Sequence, residues 1–253
     1  MPIDGATTSV RQFVTDYRRV RLAEGFASTN PEFAHQLPFR DATGRNAAIW
    51  RIRARHYLVI RAGLALIPGA HRVLDLGAGN GWLARRLAPR YRVTALDLDA
   101  GETGLAALDE PSVARVCGDL EALPIRDNAY DVVIAAASLH YSMRHERILA
   151  EAARVLRRGG VLILADSPVY PDAASRDRAW QRTLSYYESA GYPDLARRYR
   201  GLTRSELADN PWFRFVTVSP GLGSWRSAFD HLVGGLRGRS GGARMPVLFG
   251  WKR

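Results

Sequence analysis

The feature that most limits the fold is an alternation of strand and helix signals from Arg72 to Ala165. Arg72-Val-Leu-Asp-Leu-Gly is a short apolar strand, Gly79 to Leu87 reads as helix, and Val93-Thr-Ala-Leu-Asp is a second strand. Ala114 to Cys117 is a short strand, Tyr130 to Ala136 a strong one, and a helix from about Glu146 to Leu156 leads through Gly159-Gly160 to a strand at Val161 to Ala165. Strands joined through helices pair side by side in one direction, so the series predicts an α/β protein built on a parallel sheet. With 253 residues the chain is long enough for one large domain of this kind.

The joint between the first strand and its helix carries the chemistry. Asp75 closes an apolar strand and is followed by Gly77, Gly79 and Gly81, residues that admit positive φ and let a ligand approach the backbone. The spacing differs from GxGxxG, where the third glycine lies three residues after the second, and no Gly-Lys-Ser/Thr loop is present. An aspartate just before the glycines repels phosphate and attracts an amine. The turn therefore predicts a ligand site that is not built for a pyrophosphate.

Outside this run the periodicity is helical before and mixed after. Val10, Phe13, Val14, Tyr17 and Val20 recur at helical spacing through Glu24, and Gly25 to Asn46 reads as a loop or broken helix. Asn46 or Asp41 caps a second helix to about Leu66, with Ile49, Ile52, Tyr57, Ile60 and Leu64 on one face and Arg51, Arg55 and Arg61 free to face water. After the core run come a helix at Ser175 to Ala190, a short helix from Ser205, and strands at Phe213 to Ser219 and Pro246 to Trp251. Between those strands the Gly/Arg-rich Gly234 to Gly242 is expected to be mobile without a ligand. The organisation expected is an N-terminal helical cap at 1–66 on a core at 67–253, with 170–210 and 220–244 as variable lid or substrate regions.

Charge and cysteine content exclude some classes and leave others. A formal charge of +11 suits a nucleic-acid partner, but 35 arginines against the one lysine, Lys252, on an Ala-rich background read as a compositional bias. Nucleic acid is not the expected partner. Cys117 is the only cysteine, which excludes an internal disulfide framework and a multi-cysteine metal site, and it is expected to be a buried small residue. His140 and His145 lack the carboxylates and the spacing of a metal site, so no metal is expected. No apolar run reaches the ~20 residues of a membrane span. Met1 to Val10 lacks a basic-then-apolar leader, and a cytoplasmic location is the expectation.

The DxGxGxG pattern after an apolar strand resembles motif I of the class I S-adenosylmethionine-dependent methyltransferases. The likeness extends to Asp97 at the end of the second strand, to Gly118-Asp-Leu-Glu-Ala-Leu-Pro124 with Asn128-Ala-Tyr-Asp-Val-Val-Ile134, to Ser138-Leu-His-Tyr141, and to Ala153-Arg-Val-Leu-Arg-Arg-Gly-Gly-Val-Leu, where Arg158 replaces the usual proline. It covers about Arg72 to Asp166 and is nearest to the small-molecule branch that includes quinone-biosynthesis enzymes. It implies a Rossmann-like seven-stranded sheet, mostly parallel with the last strand antiparallel, and helices on both faces. Met245 to Trp251 resembles that last strand, inserted next to strand five.

The resemblance also assigns roles. Asp75, Gly77, Ala78, Gly79, Asp97, Leu98, Asp119, Leu120 and Ala136 are expected to hold S-adenosyl-L-methionine and its product S-adenosyl-L-homocysteine, Asp97 at the ribose hydroxyls and Asp119 at the adenine amine. Asp131, at a strand start, is read as structural. His140, in the loop after the fourth strand, is the candidate general base, since imidazole can take a proton from a hydroxyl or amine at neutral pH. Tyr17, Trp50 and Tyr141 are candidate walls of the acceptor site, and Arg21 or Arg53 a candidate grip for a carboxylate or phosphate. Arg40, Arg45, Arg51, Arg53 and Arg55 also suit an anionic acceptor, or equally a solvated helix face. The reaction implied is methyl transfer to an O, N or C atom of a small-molecule acceptor. An RNA methyltransferase, or a protein that binds the sulfonium without transferring methyl, are the alternatives. Nothing in the motifs fixes the acceptor or the oligomeric state.

Overall fold

The computed structural model describes residues 4–218 and 243–253; the Gly/Arg-rich segment 234–242 and most of 220–244 lie outside them. The chain begins with helix α1 (Asp4–Glu24), a short helix α2 (Pro31–Gln36) and α3 (Ala47–Leu66). Asn46 occupies the N-cap position of α3 without a side-chain capping bond, because its amide donates instead to Glu24 O at 2.8 Å. Asp41 in turn accepts from the Asn46 backbone N–H at 2.7 Å, so the polar residues expected to cap α3 fasten it to the end of α1.

The core follows as β1 (Arg72–Leu76), α4 (Trp82–Leu87), β2 (Arg92–Asp97), β3 (Ala114–Cys117), β4 (Tyr130–Ala136), α5 (His145–Val155) and β5 (Leu156–Ala165). Then come β6 (Val169–Tyr170), α6 (Ala173–Ser189), α7 (Pro193–Arg197), β7 (Leu202–Thr203), α8 (Arg204–Ala208), β8 (Phe213–Thr217) and β9 (Leu248–Lys252). The main sheet has seven strands in the order β3-β2-β1-β4-β5-β9-β8. β9 runs antiparallel to both β5 and β8, and the other pairings are parallel, as the resemblance implied. The chain lays strands outward from β1 to β3 and then returns to add β4 on the other side. That reversal opens a crevice at the carboxyl ends of β1 and β4, where an α/β sheet binds its ligand.

Alternation along the strands divides the core into two layers. Val73, Ile134 and Ile163 face Tyr57, Ile60 and Leu64 of α3 and Leu83 and Leu87 of α4. Leu74, Val133 and Leu162 face Ile148, Leu149 and Ala152 of α5. A smaller cluster joins Phe13 and Val20 of α1 to Tyr187, Leu195 and Ala196 of α6 and α7, so the first helix packs against the 170–210 region. Among the described residues no helix is long and apolar enough to cross a membrane.

Three sequence readings are corrected here. β5 starts at Leu156 rather than Val161, because Arg158-Gly159-Gly160 forms an irregularity within the strand: pairing with β4 jumps from Tyr130↔Leu156 to Val132↔Val161. The inward face of α3 is Trp50, His56, Tyr57, Ile60 and Leu64, while Ile49 and Ile52 are only half-buried. Cys117 is exposed, since β3 is the edge of the sheet. Asp131 does what a structural aspartate does, accepting the N–H groups of His71 and Arg72 at 3.0 and 2.8 Å and pairing with Arg157 at 2.7 Å. Burial alone would raise its pKa, but these donors hold it below the usual carboxylate value.

Candidate functional site

Gly77, Gly79 and Gly81 all take positive φ, at +77°, +54° and +71°, and carry the chain from β1 into α4. The N–H groups of Gly77 and Ala78 both donate to Leu96 O, at 2.8 and 3.0 Å, which ties the turn to β2. On its other side a Cβ at Gly77 would stand 2.3 Å from Ser138 Cβ, and the Ser138 hydroxyl donates to Leu76 O at 2.6 Å. The turn is thus pinned between β2 and the loop after β4, and only glycine fits at 77. Gly79 is different. Among the described residues nothing lies within 4 Å of where its Cβ would be, which leaves that face of the turn room for a ligand.

Three carboxylates stand at or just beyond the carboxyl ends of the neighbouring strands β1, β2 and β3. Asp75 is buried, and its Oδ2 has no hydrogen-bond donor among the described residues. Burial pushes its pKa up to about 7; the charge of Asp97 adds to the rise and the Ala84 backbone N–H opposes it. Asp97 is half-buried, with Oδ2 accepting from Gly79 N–H and Oδ1 from Asp99 N–H, both at 2.8 Å. Asp119 Oδ1 accepts from Glu121 N–H at 2.9 Å, which fixes its carboxylate at the mouth of β3. Ala78 is buried, and Leu98, Leu120 and Ala136 are half-buried along the same edge. A carboxylate oxygen lacking a donor suits an ammonium, and a carboxylate held by backbone N–H groups on both oxygens keeps lone pairs for a diol.

Beside this edge α1, α3 and the loop after β4 bring the remaining candidate residues together. Tyr17 meets Tyr141 edge-on at 5.1 Å, and Tyr141 meets Tyr199 at 5.8 Å. The Arg21 guanidinium lies over Tyr17, Phe26 and Tyr141, and is already engaged by Glu24 and the Tyr187 hydroxyl. Arg53 lies over Trp50 at 4.6 Å and over Phe26 at 5.6 Å. Trp50 itself is buried edge-on against Trp82 of α4, so it backs Arg53 more than it lines open space. Burial holds the Tyr17 and Tyr199 hydroxyls well above their ordinary pKa, which keeps them neutral.

His140 sits among these groups in the 3₁₀ turn Leu139–Tyr141. Its ring is 4.3 Å from Tyr141 and 5.0 Å from Tyr199, and its Nδ1 is 3.1 Å from the Ser167 hydroxyl. Burial, then the charges of Arg21 and Arg53, depress its pKa well below the usual histidine value, so it is a neutral imidazole at physiological pH. Three N–H donors here, Arg21 Nε, Trp50 Nε1 and Arg53 Nε, are buried without an acceptor among the described residues. Each such group costs about 1–3 kcal/mol when left unpaired.

Residues 74–164 match the family model described as a methyltransferase domain. Over these residues the core is similar to a methyltransferase domain. The chain is 32% identical over 135 residues to the demethylmenaquinone methyltransferase of Renibacterium salmoninarum, covering 53% of this chain and 56% of that protein. It is 32% identical over 143 residues to the malonyl-[acyl-carrier protein] O-methyltransferase of Geobacter sulfurreducens, covering 54% and 52%. The matched part thus spans about half the length of these curated relatives. The YcgJ protein of Bacillus subtilis shares the fold, with a TM-score of 0.54 at 20% identity over 78% of this chain and 95% of that one.

Several residues that shape the crevice were given no role by the sequence. Ser138 fills the space opposite Gly77, Ser167 orients His140, and Phe26 lies between Arg21 and Arg53. His56 Nδ1 is hydrogen-bonded with Asp166 Oδ1 at 2.7 Å, a buried pair that ties α3 to the end of β5. Ala137 and Asp166 hold positive φ without being glycine, and both follow directly on strand ends at the crevice. Strained backbone of this kind clusters at functional edges.

Proposed function

We propose that this chain is an S-adenosyl-L-methionine-dependent methyltransferase acting on a small-molecule acceptor. The observation that carries the reading is the buried Asp75 oxygen without a donor among the described residues, next to the free face of Gly79 and one strand from the backbone-held Asp97. The residues fit the group. Asp75 would take the methionyl ammonium, Asp97 the two ribose hydroxyls, and Asp119 with Leu98, Leu120 and Ala136 the adenine edge and faces. Gly77, Ala78 and Gly79 would let the amino-acid portion lie against the backbone. Bound there, the sulfonium supplies an activated methyl group.

The chain's own part is alignment, exclusion of water and handling of one proton. Alignment of nucleophile and methyl can be worth ~7–11 kcal/mol of barrier. Tyr17, Tyr141 and Tyr199 would supply an aromatic wall, and α1, which carries Tyr17, is held to α6 through Arg21, Glu24, Tyr186 and Tyr187. His140, kept neutral and oriented by Ser167, would accept the proton of a hydroxyl or amine acceptor at Nε2. Residues 1–66 would then act as the cap and 170–210 as part of the acceptor region, the first contacting the second through α1 and α7.

Calorimetric titration with S-adenosylmethionine, S-adenosylhomocysteine and NAD tests the reading. Binding of the first two but not of NAD supports it and justifies screening acceptors by mass shift. A folded sample that binds neither removes it.

A further inference from the structure

Arg53 is a partly buried arginine with neither a carboxylate nor a backbone carbonyl as acceptor among the described residues, whereas Arg85 and Arg86, which also lack a carboxylate, donate to backbone carbonyls. Arg18, Arg21, Arg154, Arg157, Arg176 and Arg200 each hold a carboxylate. Arg53 pairs with none among the described residues, and its Nε is buried without an acceptor. Its position is not that of a solvated charge: it falls in phase with the buried stripe Trp50, Tyr57, Ile60 and Leu64, whereas Arg51, Arg55 and Arg61 on the same helix are exposed. Its guanidinium lies over two flat rings, Trp50 at 4.6 Å and Phe26 at 5.6 Å. Placed in this way, an arginine presents a fork that matches two oxygens of a carboxylate or phosphate.

The surroundings point the same way. Two further buried donors that lack an acceptor among the described residues stand beside it: Trp50 Nε1, on the ring beneath Arg53, and Arg21 Nε, across Phe26; Arg85, on α4, is likewise short of acceptors but belongs to a different surface. Arg53 Nε, Trp50 Nε1 and Arg21 Nε are all donors. Glu24 balances only one of the two guanidinium groups. A buried cation left unbalanced is costly, and the positive sulfonium of the proposed cofactor would add to the excess.

We propose that Arg53 is the specificity residue of the acceptor site and that the acceptor carries an anionic group, a carboxylate or a phosphate monoester, gripped by its guanidinium. Trp50 Nε1 and Arg21 Nε supply the further donors, and the body of the acceptor extends toward Tyr17, Tyr141 and His140. This deepens the methyltransferase reading and rests on it for the place of the reacting atom, but the anion grip itself can be measured without turnover.

The probes are benzoate, phenyl phosphate and the neutral benzyl alcohol, titrated at ~150 mM salt, where surface charge is screened beyond ~8 Å. Each is followed by tryptophan fluorescence and calorimetry in protein saturated with S-adenosylhomocysteine and, separately, in protein without it. One of the two acids is expected to bind at least ~tenfold tighter than benzyl alcohol, a difference in keeping with a charge-assisted bidentate pair. Benzoate as the better probe identifies a carboxylate, phenyl phosphate a phosphate. Arg53→Gln should abolish the preference while leaving S-adenosylhomocysteine affinity and the circular dichroism spectrum unchanged, Arg53→Lys should restore part of it, and Arg51→Gln on the outer face should leave it intact. Acids that bind no tighter than benzyl alcohol, or a preference that survives Arg53→Gln, overturn the proposal. Failure of S-adenosylhomocysteine to bind overturns the cofactor reading instead, and the titrations without it still decide Arg53.

Discussion

Arg18 on α1 pairs with Asp99, and the backbone N–H of Asp99 donates to the Asp97 carboxylate at 2.8 Å. The first helix is therefore mechanically linked to the group proposed to hold the ribose. Arg18→Ala should weaken S-adenosylhomocysteine binding about two- to fivefold, as expected for loss of one partly exposed supporting ion pair. The pair is partly exposed, so the unfolding midpoint should hardly move. An affinity unchanged by the substitution would show that α1 does not set the position of Asp97.

The raised pKa of Asp75 gives a pH dependence with a definite sign. Its folded value of about 7 lies above that of an unfolded aspartate, so the folded protein binds the extra proton between those values. This contribution to stability is present at low pH and is lost as pH rises through 7. Ligand binding has the opposite slope, because an ammonium pairs with the ionised form. S-adenosylhomocysteine affinity should rise about tenfold per unit below pH 7 and level off above it. Asp75→Asn should flatten that slope, weaken binding, and raise the unfolding midpoint of the free protein at pH 8. A pH-independent wild-type affinity between pH 5.5 and 7.5 would count against the role given to Asp75.

Gly77 and Gly79 should separate stability from binding. Gly77→Ala places Cβ 2.3 Å from Ser138 at φ +77°, so it should cost about 2 kcal/mol or more, from overpacking together with the left-handed strain. Gly79→Ala has open space around Cβ and should cost only about 1 kcal/mol, from φ alone. Its Cβ would nonetheless occupy ligand space, and nucleoside binding should fall sharply. Thermal unfolding and titration of the two variants test this, and a Gly79→Ala protein with full affinity would move the ligand elsewhere.

Histidine titration by NMR checks the electrostatics of the acceptor side. Burial and the neighbouring arginines should keep His140 neutral throughout pH 6 to 8, and burial with Arg200 should place His145 near 4. Ser167→Ala should disturb the His140 ring signals while leaving those of His145 in place, because it removes the Nδ1 partner only. A His140 that titrates near 6.5 would mean an open, hydrated ring and would weaken its assignment as base.

The strand and helix alternation and the three-glycine joint were legible because they depend on local rules: side-chain period, positive φ, and a carboxylate at a strand end. β1, β3 and β4 fall on the residues their patterns indicate, and the last strand pairs antiparallel with β5. Errors arose where local rules compete with tertiary packing. Asn46 looked like a cap and is drawn off by Glu24 O, Gly159-Gly160 looked like a turn and lies within an irregular strand, and Cys117 looked buried although it stands on an edge.

The chemistry divides in the same way. The sequence by itself set the order of Asp75, Asp97 and Asp119, since each follows its own strand and parallel strands deliver their ends to one edge. Which of the many arginines face the crevice could not be read, because composition makes them common and helical phase alone does not say what lies opposite. Only the tertiary structure decided that Arg21 is engaged by Glu24 and Tyr187 while Arg53, between Trp50 and Phe26, has no carboxylate partner among the described residues. Partners distant in the chain, α1 with α6 and α3 with the end of β5, make that distinction, and such pairings leave no local pattern behind.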